Sequence, residues 1–204
     1  MPAALQCLFQ TDNAARDKFL SRLFGIFNEK IVRCWCKDGN APYVDLGRPT
    51  FKKEQPRGRG KTLDFTFRSK ADNRIYIAEM KCWLEYENYK YLTLNEPEQL
   101  RGCDNEAFRL FLKAAKEPSQ ATVTVNSKPQ RIDGCILVWG RCSEQGRTRT
   151  IAEFGFHDVL SLEDIISSLA NWNNQEFLKL LEDRRAWTEY LFSGLVGTGT
   201  ACRL

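Results

Sequence analysis

Asp64-Phe65-Thr66-Phe67-Arg68-Ser69-Lys70-Ala71-Asp72-Asn73-Arg74-Ile75-Tyr76-Ile77-Ala78-Glu79-Met80-Lys81 is the stretch from which the architecture of this 204-residue chain is read. Two runs of strand-forming residues, 62–68 and 74–83, flank a polar turn at Lys70–Asn73, the pattern of a β-hairpin. With that turn Ser69 faces Arg74, Phe67 faces Tyr76, Phe65 faces Ala78 and Leu63 faces Met80, and Asp64 stands opposite Glu79. Side chains alternate between the faces of a strand. One face is therefore apolar, and Asp64, Glu79 and Lys81 share the other with Ile75 and Ile77. Directly opposed carboxylates hold their Cβ atoms about 5 Å apart and repel each other. A cation between them relieves that repulsion, and a lysine two residues on points the same way. Carboxylates on a solvent-exposed hairpin would be mere surface charges, but Ile75 and Ile77 on their own face argue that this face is covered. The outline is that of a metal-assisted hydrolysis site.

The order of elements around the hairpin extends the pattern. Residues 13–36 read as one amphipathic helix, with Leu20, Leu23, Phe24, Phe27, Ile31 and Trp35 at helical spacing. Asp38-Gly39-Asn40 and Pro42 end it, and Tyr43–Leu46 is a short strand. The hairpin follows, then a helix over 97–116 stopped by Pro118, then an apolar strand over 132–139 suited to the middle of a sheet covered on both faces. A further strand is expected over 148–156. Ser161-Leu162-Glu163-Asp164 reads as a variant capping box opening a helix to about residue 170. A last helix carries Phe177, Leu178, Leu181, Trp187, Tyr190 and Leu191, and residues 194–204 read as a frayed tail. So much apolar surface suits a helix packed across the core's open edge or paired with its copy in a homodimer. The expected organisation is a core over 1–156 and a C-terminal helical extension over 157–204 packed on the same domain.

Asp64, Glu79 and Lys81, their placement on a hairpin, and the helix–strand–strand–strand–helix–strand order resemble the PD-(D/E)xK nuclease superfamily. Leu63 stands where that motif has its proline. The resemblance covers most of the chain as topology and three residues as chemistry. It implies an α/β restriction-endonuclease-like αβββαβ core, with a mixed central sheet flanked by helices. It also implies a Mg²⁺-dependent nuclease (Mn²⁺ is the other candidate ion), acting on DNA as an endonuclease. Asp64 and Glu79 would be metal ligands with the Met80 carbonyl, and Lys81 would orient or deprotonate the attacking water. An RNA-directed nuclease, or an inactive nucleic-acid- or protein-binding module of the same fold, stays open on sequence alone. Members often add a glutamate from the first helix; here that would be Glu29, but a straight helix points it away from the apolar stripe. Asp104 lies within the apolar stripe of the second helix and Gln99 off it. His157, the one histidine, reads as structural.

The net charge of +4 is modest, and its distribution says more. Arg48, Lys52, Lys53, Arg57, Arg59 and Lys61 face a single acid, Glu54, in a segment punctuated by Pro49, Pro56, Gly58 and Gly60. Such a loop beside the acidic pair is expected to hold nucleic-acid phosphates. Arg141, Arg147 and Arg149 form a second basic patch. The eight cysteines show one C-x-C pair, Cys34 and Cys36, and no C-x-x-C. That is poor material for structural zinc, and the cysteines read as small buried hydrophobes in a reducing compartment. No apolar run approaches the ~20 residues of a membrane span and no secretory signal opens the chain, so a cytoplasmic protein is expected.

Overall fold

The computed structural model describes residues 5–51, 60–82, 89, 91–103 and 105–196. The chain opens with three helices, α1 (Leu5–Phe9), α2 (Ala14–Gly25) and α3 (Asn28–Lys37), and enters strand β1 (Tyr43–Asp45). Two short strands follow, β2 (Thr50–Phe51) and β3 (Lys61–Thr62), then the hairpin strands β4 (Phe65–Ser69) and β5 (Ile75–Lys81). Strand β6 (Thr93–Leu94) and a 3-10 turn (Pro97–Gly102) lead to α4 (Glu106–Lys116). Next come the hairpin β7 (Thr122–Val125) and β8 (Lys128–Arg131), strand β9 (Gly134–Trp139), and β10 (Arg141–Cys142). The chain closes with α5 (Glu144–Phe154), β11 (Asp158–Ser161), α6 (Leu162–Asn171) and α7 (Gln175–Val196).

The main sheet is five-stranded and mixed, in the order β1-β4-β5-β9-β11. β1, β4 and β5 are antiparallel neighbours, whereas β5, β9 and β11 run parallel. All six residues of β9 are buried, as a central strand with both faces covered requires. One apolar layer, beneath α1, α2, α3, α6 and the start of α7, holds Phe65, Phe67, Tyr76, Ala78, Ile136 and Val138. The other, beneath α4, α5 and a second sheet ordered β3-β2-β7-β8, holds Leu63, Ile77, Cys135, Leu137, Trp139 and Phe108. The result is a mixed α/β fold with helices on both faces of its sheet. Among the described residues no helix is long and apolar enough to cross a membrane.

Several expected elements are corrected. The single helix over 13–36 is two: Phe27 adopts a non-helical backbone (φ −130°) and starts α3. The break lets Phe24 and Phe27 pack edge to face, centroids 5.5 Å apart, while Ile26 turns out to solvent. The helix over 97–116 begins as a 3-10 turn, because the Gln99 side chain folds back to accept from the N–H groups of Asn95 and Glu96. α4 restarts at Asn105, whose side chain accepts from Phe108 N at 2.8 Å. The strand expected over 148–156 is helix α5. Its ends are fixed by the Ser143 side chain accepting from Gly146 N and by Gly155 in the left-handed region at φ 74°. A Cβ at Gly146 would meet Leu94 O at 2.1 Å, so only glycine lets this helix start against β6. The further strand comes later, as β11, so the segment from 157 onward contributes an edge strand to the main sheet as well as helices. Ser161 caps α6, its hydroxyl accepting from Asp164 N, while the Asp164 carboxylate turns to Arg147.

Candidate active site

The register read from the sequence is the one observed: Phe65 pairs Ala78, Phe67 pairs Tyr76, and Ser69 N donates to Arg74 O at 2.9 Å. Asn73 at φ 61° makes the turn. The ladder stops at Phe65, however, one residue short of Asp64. The strand expected over 62–68 bends at Asp64, and Thr62 belongs to β3 of the second sheet. Leu63 therefore does not face Met80 in the helix-covered layer. It donates its N–H to Pro49 O and buries itself in the opposite layer with Ile77 and Leu137. The bend carries the Asp64 carboxylate onto the main chain of β5, where Oδ2 accepts from Met80 N at 2.9 Å. Met80 is present here through its N–H.

Glu79 and Lys81 lie beside that contact. Parallel pairing sets Glu79 against Leu137 and Lys81 against Trp139, so both charges project into the layer beneath α4. They are nearly inaccessible, at 6% and 9% exposure. Lys81 Nζ donates to Glu79 Oε1 at 2.5 Å and lies 5.3 Å from the centre of the Phe108 ring. Among the described residues the buried Glu79 Oε2 has no hydrogen-bond partner. Burial above all, then the negative charge of Asp64, raises the Glu79 carboxyl to about 7, although the Lys81 ammonium pulls the other way. Arg48 reaches in from solvent: Nη2 donates to Asp64 Oδ1 and Nε to Leu63 O, each at 3.2 Å.

Thr66 was not singled out by the sequence. It sits on the same face as Asp64, paired with Ile77 and diagonal to Glu79, and its fully buried hydroxyl also lacks a partner among the described residues. Two unpartnered oxygens on one face of a hairpin are uncommon in a folded interior.

Among the described residues no group of three or more His, Cys, Asp or Glu side chains gathers to hold a metal. The acidic donors at the site are therefore the two carboxylates. That set, with an unpartnered buried Oε2, fits Mg²⁺, which keeps several waters and takes one or two carboxylates together with substrate phosphates.

The remaining expectations divide. Lys61 is drawn to Glu106 of α4 at 2.7 Å, away from the acidic pair. Lys52, Lys53, Arg57 and Arg59 lie outside the described residues, as does Asp104. Glu29 is half-buried, since the break before α3 shifts the helical phase. Its partner is Arg33 at 3.3 Å, whose guanidinium lies 5.7 Å from the Phe65 ring centre. Arg141 and Arg147 are ion-paired to Glu163 and Asp164 at the start of α6, both at 2.9 Å. His157 stacks on Tyr76 with ring centres 4.1 Å apart. Burial pushes the thiols of Cys103, Cys82 and Cys142 upward, to about 11, 12 and 12, and that of Cys36 upward too, which leaves them poor nucleophiles.

No family model matches the chain, and no match is found among curated proteins or solved structures.

Proposed function

We propose that this protein is a Mg²⁺-dependent nuclease that hydrolyses phosphodiester bonds in DNA as an endonuclease, on a restriction-endonuclease-like core. The observation that carries the reading is the buried Glu79–Lys81 pair with Asp64 against it and Glu79 Oε2 unpartnered. Burying a carboxylate beside another is costly, and a hydrophobic pair would serve the fold better. The arrangement makes sense where a cation and a phosphate are to be received. Through the main sheet the chain runs helices, β1, β4, β5, α4, β9, which supports the same fold.

The residues divide the work by position. Asp64 and Glu79 would hold the ion, whose chemistry when bound is to acidify a water and offset charge on the scissile phosphate. Asp64 is kept in place by Met80 N and Arg48. Lys81 Nζ keeps a donor within the site; with the Glu79 carboxylate turned to its ligand role, that donor is free to orient the attacking water or a phosphate oxygen. The apolar wall of Phe108, Leu137 and Trp139 excludes bulk water and strengthens each of these interactions. Arg48, half exposed at the rim, meets the phosphate first. A cytoplasmic location goes with this reading.

The test is cleavage of supercoiled, linear, branched and single-stranded DNA, and of RNA, with Mg²⁺, by the wild-type protein and by Glu79→Gln. Metal-dependent cleavage of DNA, lost in the variant, is expected. Cleavage of none of these substrates, or cleavage equal in the variant, would overturn the assignment.

A further inference from the structure

Within the reading of the chain as a nuclease, we infer that Arg48 competes with the divalent ion for Asp64, and that the two exchange when DNA binds. The ion takes the carboxylate, and Arg48 takes a phosphate of the DNA. Three of the four carboxylate oxygens at the site accept from the protein itself. Asp64 Oδ2 is fixed to the main chain of β5 by Met80 N at 2.9 Å. Asp64 Oδ1, the oxygen turned away from that backbone bond, accepts from Arg48 Nη2 at 3.2 Å. Glu79 Oε1 accepts from Lys81, and Oε2 has no partner among the described residues. An ion shared by the two acids therefore meets Arg48 on the Asp64 side.

Two cations balance the two acids, and they differ in freedom. Lys81 is buried against the Phe108 ring, so withdrawing it would unpack the layer under α4. Arg48 is half exposed at the rim. A divalent ion held by both acids adds two positive charges beside these cations, and like charges repel. The cation that can move is the one that yields. Only its side chain has to turn, because the main chain around it is held. Gly47 N donates to Asp45 Oδ1, Asn126 Nδ2 to Leu46 O, and Leu63 N to Pro49 O, each at 2.9 Å. Gly47 itself lies at φ 109°, a conformation that glycine adopts without strain.

A phosphate is a better partner for this guanidinium than the one it leaves. Arginine presents five N–H donors in a fork that matches two oxygens of a phosphate. On Asp64 it spends Nη2 alone, and its Nε goes to Leu63 O at 3.2 Å. Each arrival then favours the other. The phosphate draws Arg48 off Asp64 and clears the oxygen for the ion, while the ion drives Arg48 outward to the phosphate. Such coupling is reciprocal by thermodynamic necessity. Its consequence is an ion held weakly by the protein alone and firmly once DNA is in place.

The experiment is isothermal titration calorimetry with Mg²⁺ at pH 8, where Glu79 is ionised, with thermal melts to verify folding. Arg48→Gln and Arg48→Met remove the competing charge. Both are expected to bind Mg²⁺ roughly three- to tenfold more tightly than wild type, the scale of one half-exposed charge facing a divalent ion. The gain should shrink at high salt, where exposed charges are screened. In cleavage assays the Mg²⁺ concentration giving half-maximal rate should fall as DNA concentration rises, and fall less in either variant. Folded variants that bind Mg²⁺ as wild type does, or more weakly, would make Arg48 a support for Asp64 alone and overturn this inference. A half-maximal Mg²⁺ concentration independent of DNA in wild type would overturn it as well. In either case Mg²⁺ binding and cleavage that Glu79→Gln abolishes leave the nuclease assignment standing. Wild-type protein that neither binds Mg²⁺ nor cuts any nucleic acid removes both.

Discussion

The main-chain N–H of Met80 donates to Asp64 Oδ2 at 2.9 Å, so one acid of the pair is tied to the backbone between Glu79 and Lys81. The two carboxylates are consequently not equivalent. Asp64 accepts from both Met80 N and Arg48, whereas Glu79 leaves an oxygen unmatched. Asp64→Ala strands a strand N–H and an arginine and is expected to destabilise the fold by about 1–3 kcal/mol in urea unfolding. A variant as stable as wild type would mean the contact contributes nothing.

Glu79→Gln should behave in the opposite sense, and its effect should depend on pH. The folded-state carboxyl titrates near 7, above the ordinary 4.5. Folding therefore favours the protonated form, and stability is lost as pH rises from about 4.5 to about 7. Relative to wild type, the neutral variant should gain on the order of 3 kcal/mol across that window and nothing below it. Unfolding curves for both proteins at pH 4 and pH 8 measure this; a constant difference would remove Glu79 as the titrating group.

Divalent cation binding should release protons. A carboxylate that coordinates must be ionised, and near pH 6.5 Glu79 is largely protonated in the free protein. Titration with Mg²⁺ in weak buffer is expected to acidify the solution by a fraction of a proton per chain, and Mg²⁺ at a hundred times its dissociation constant to add about 2.7 kcal/mol of stability. Glu79→Gln should abolish the proton release. Release unchanged in that variant would place the ion elsewhere.

Lys81→Met keeps the buried stem and removes the ammonium. Cleavage is expected to fall ~10²-fold or more, while the Glu79 carboxyl, deprived of the ammonium that lowers it, should titrate higher still. Carboxyl resonances followed by NMR give the second readout. Full turnover in Lys81→Met would make this lysine structural.

Much of the fold was legible in the sequence, and the omissions have physical causes. The hairpin register followed from period-two alternation and a polar turn, which are local. The bend at Asp64 is not local: Leu63 is pulled into the opposite layer by Pro49 and Ile77, elements that no strand periodicity reports. A strand was expected over 148–156, yet Ser143 and Gly155 cap a helix there, and the caps decided. β11 was missed because Asp158–Ser161 offers only Val159 and Leu160 as apolar residues and is held by parallel pairing with β9. Thr66 left no trace in the sequence, since threonine in a strand is ordinary.

The final helix keeps much of its apolar surface outside the core. α7 buries Phe177 at its start, but Trp187, Tyr190 and Leu191 stay about 60% exposed and Leu195 74% exposed. Beyond Phe177 it meets the N-terminal helices only in part, with Leu180 against the core and Phe192 beside Phe19 of α2, ring centres 6.2 Å apart. Self-association through residues 187–196 is the expected outcome, seen as a mass that rises with concentration in light scattering and falls with Leu191→Glu. A strictly monomeric species at high concentration rules it out.

The parallel pairing of β5 with β9 has a consequence for how the site comes into being. Ile75 N is held by Asp133, 58 positions along the chain, whereas the hairpin carrying Asp64, Glu79 and Lys81 closes through a short local turn. Local hairpins form in microseconds, while pairings that close long loops are slow. During folding the three charged side chains therefore meet first in water, where their repulsion is screened and their protons exchange as in a peptide. Only when β9 and α4 dock does the carboxylate lose its solvent. The electrostatic strain is thus acquired last, in a step driven by the apolar faces of Leu137, Trp139 and Phe108. A divalent ion captured by the open hairpin would ease that docking, so that on the proposed reading the metal would also act as a folding aid.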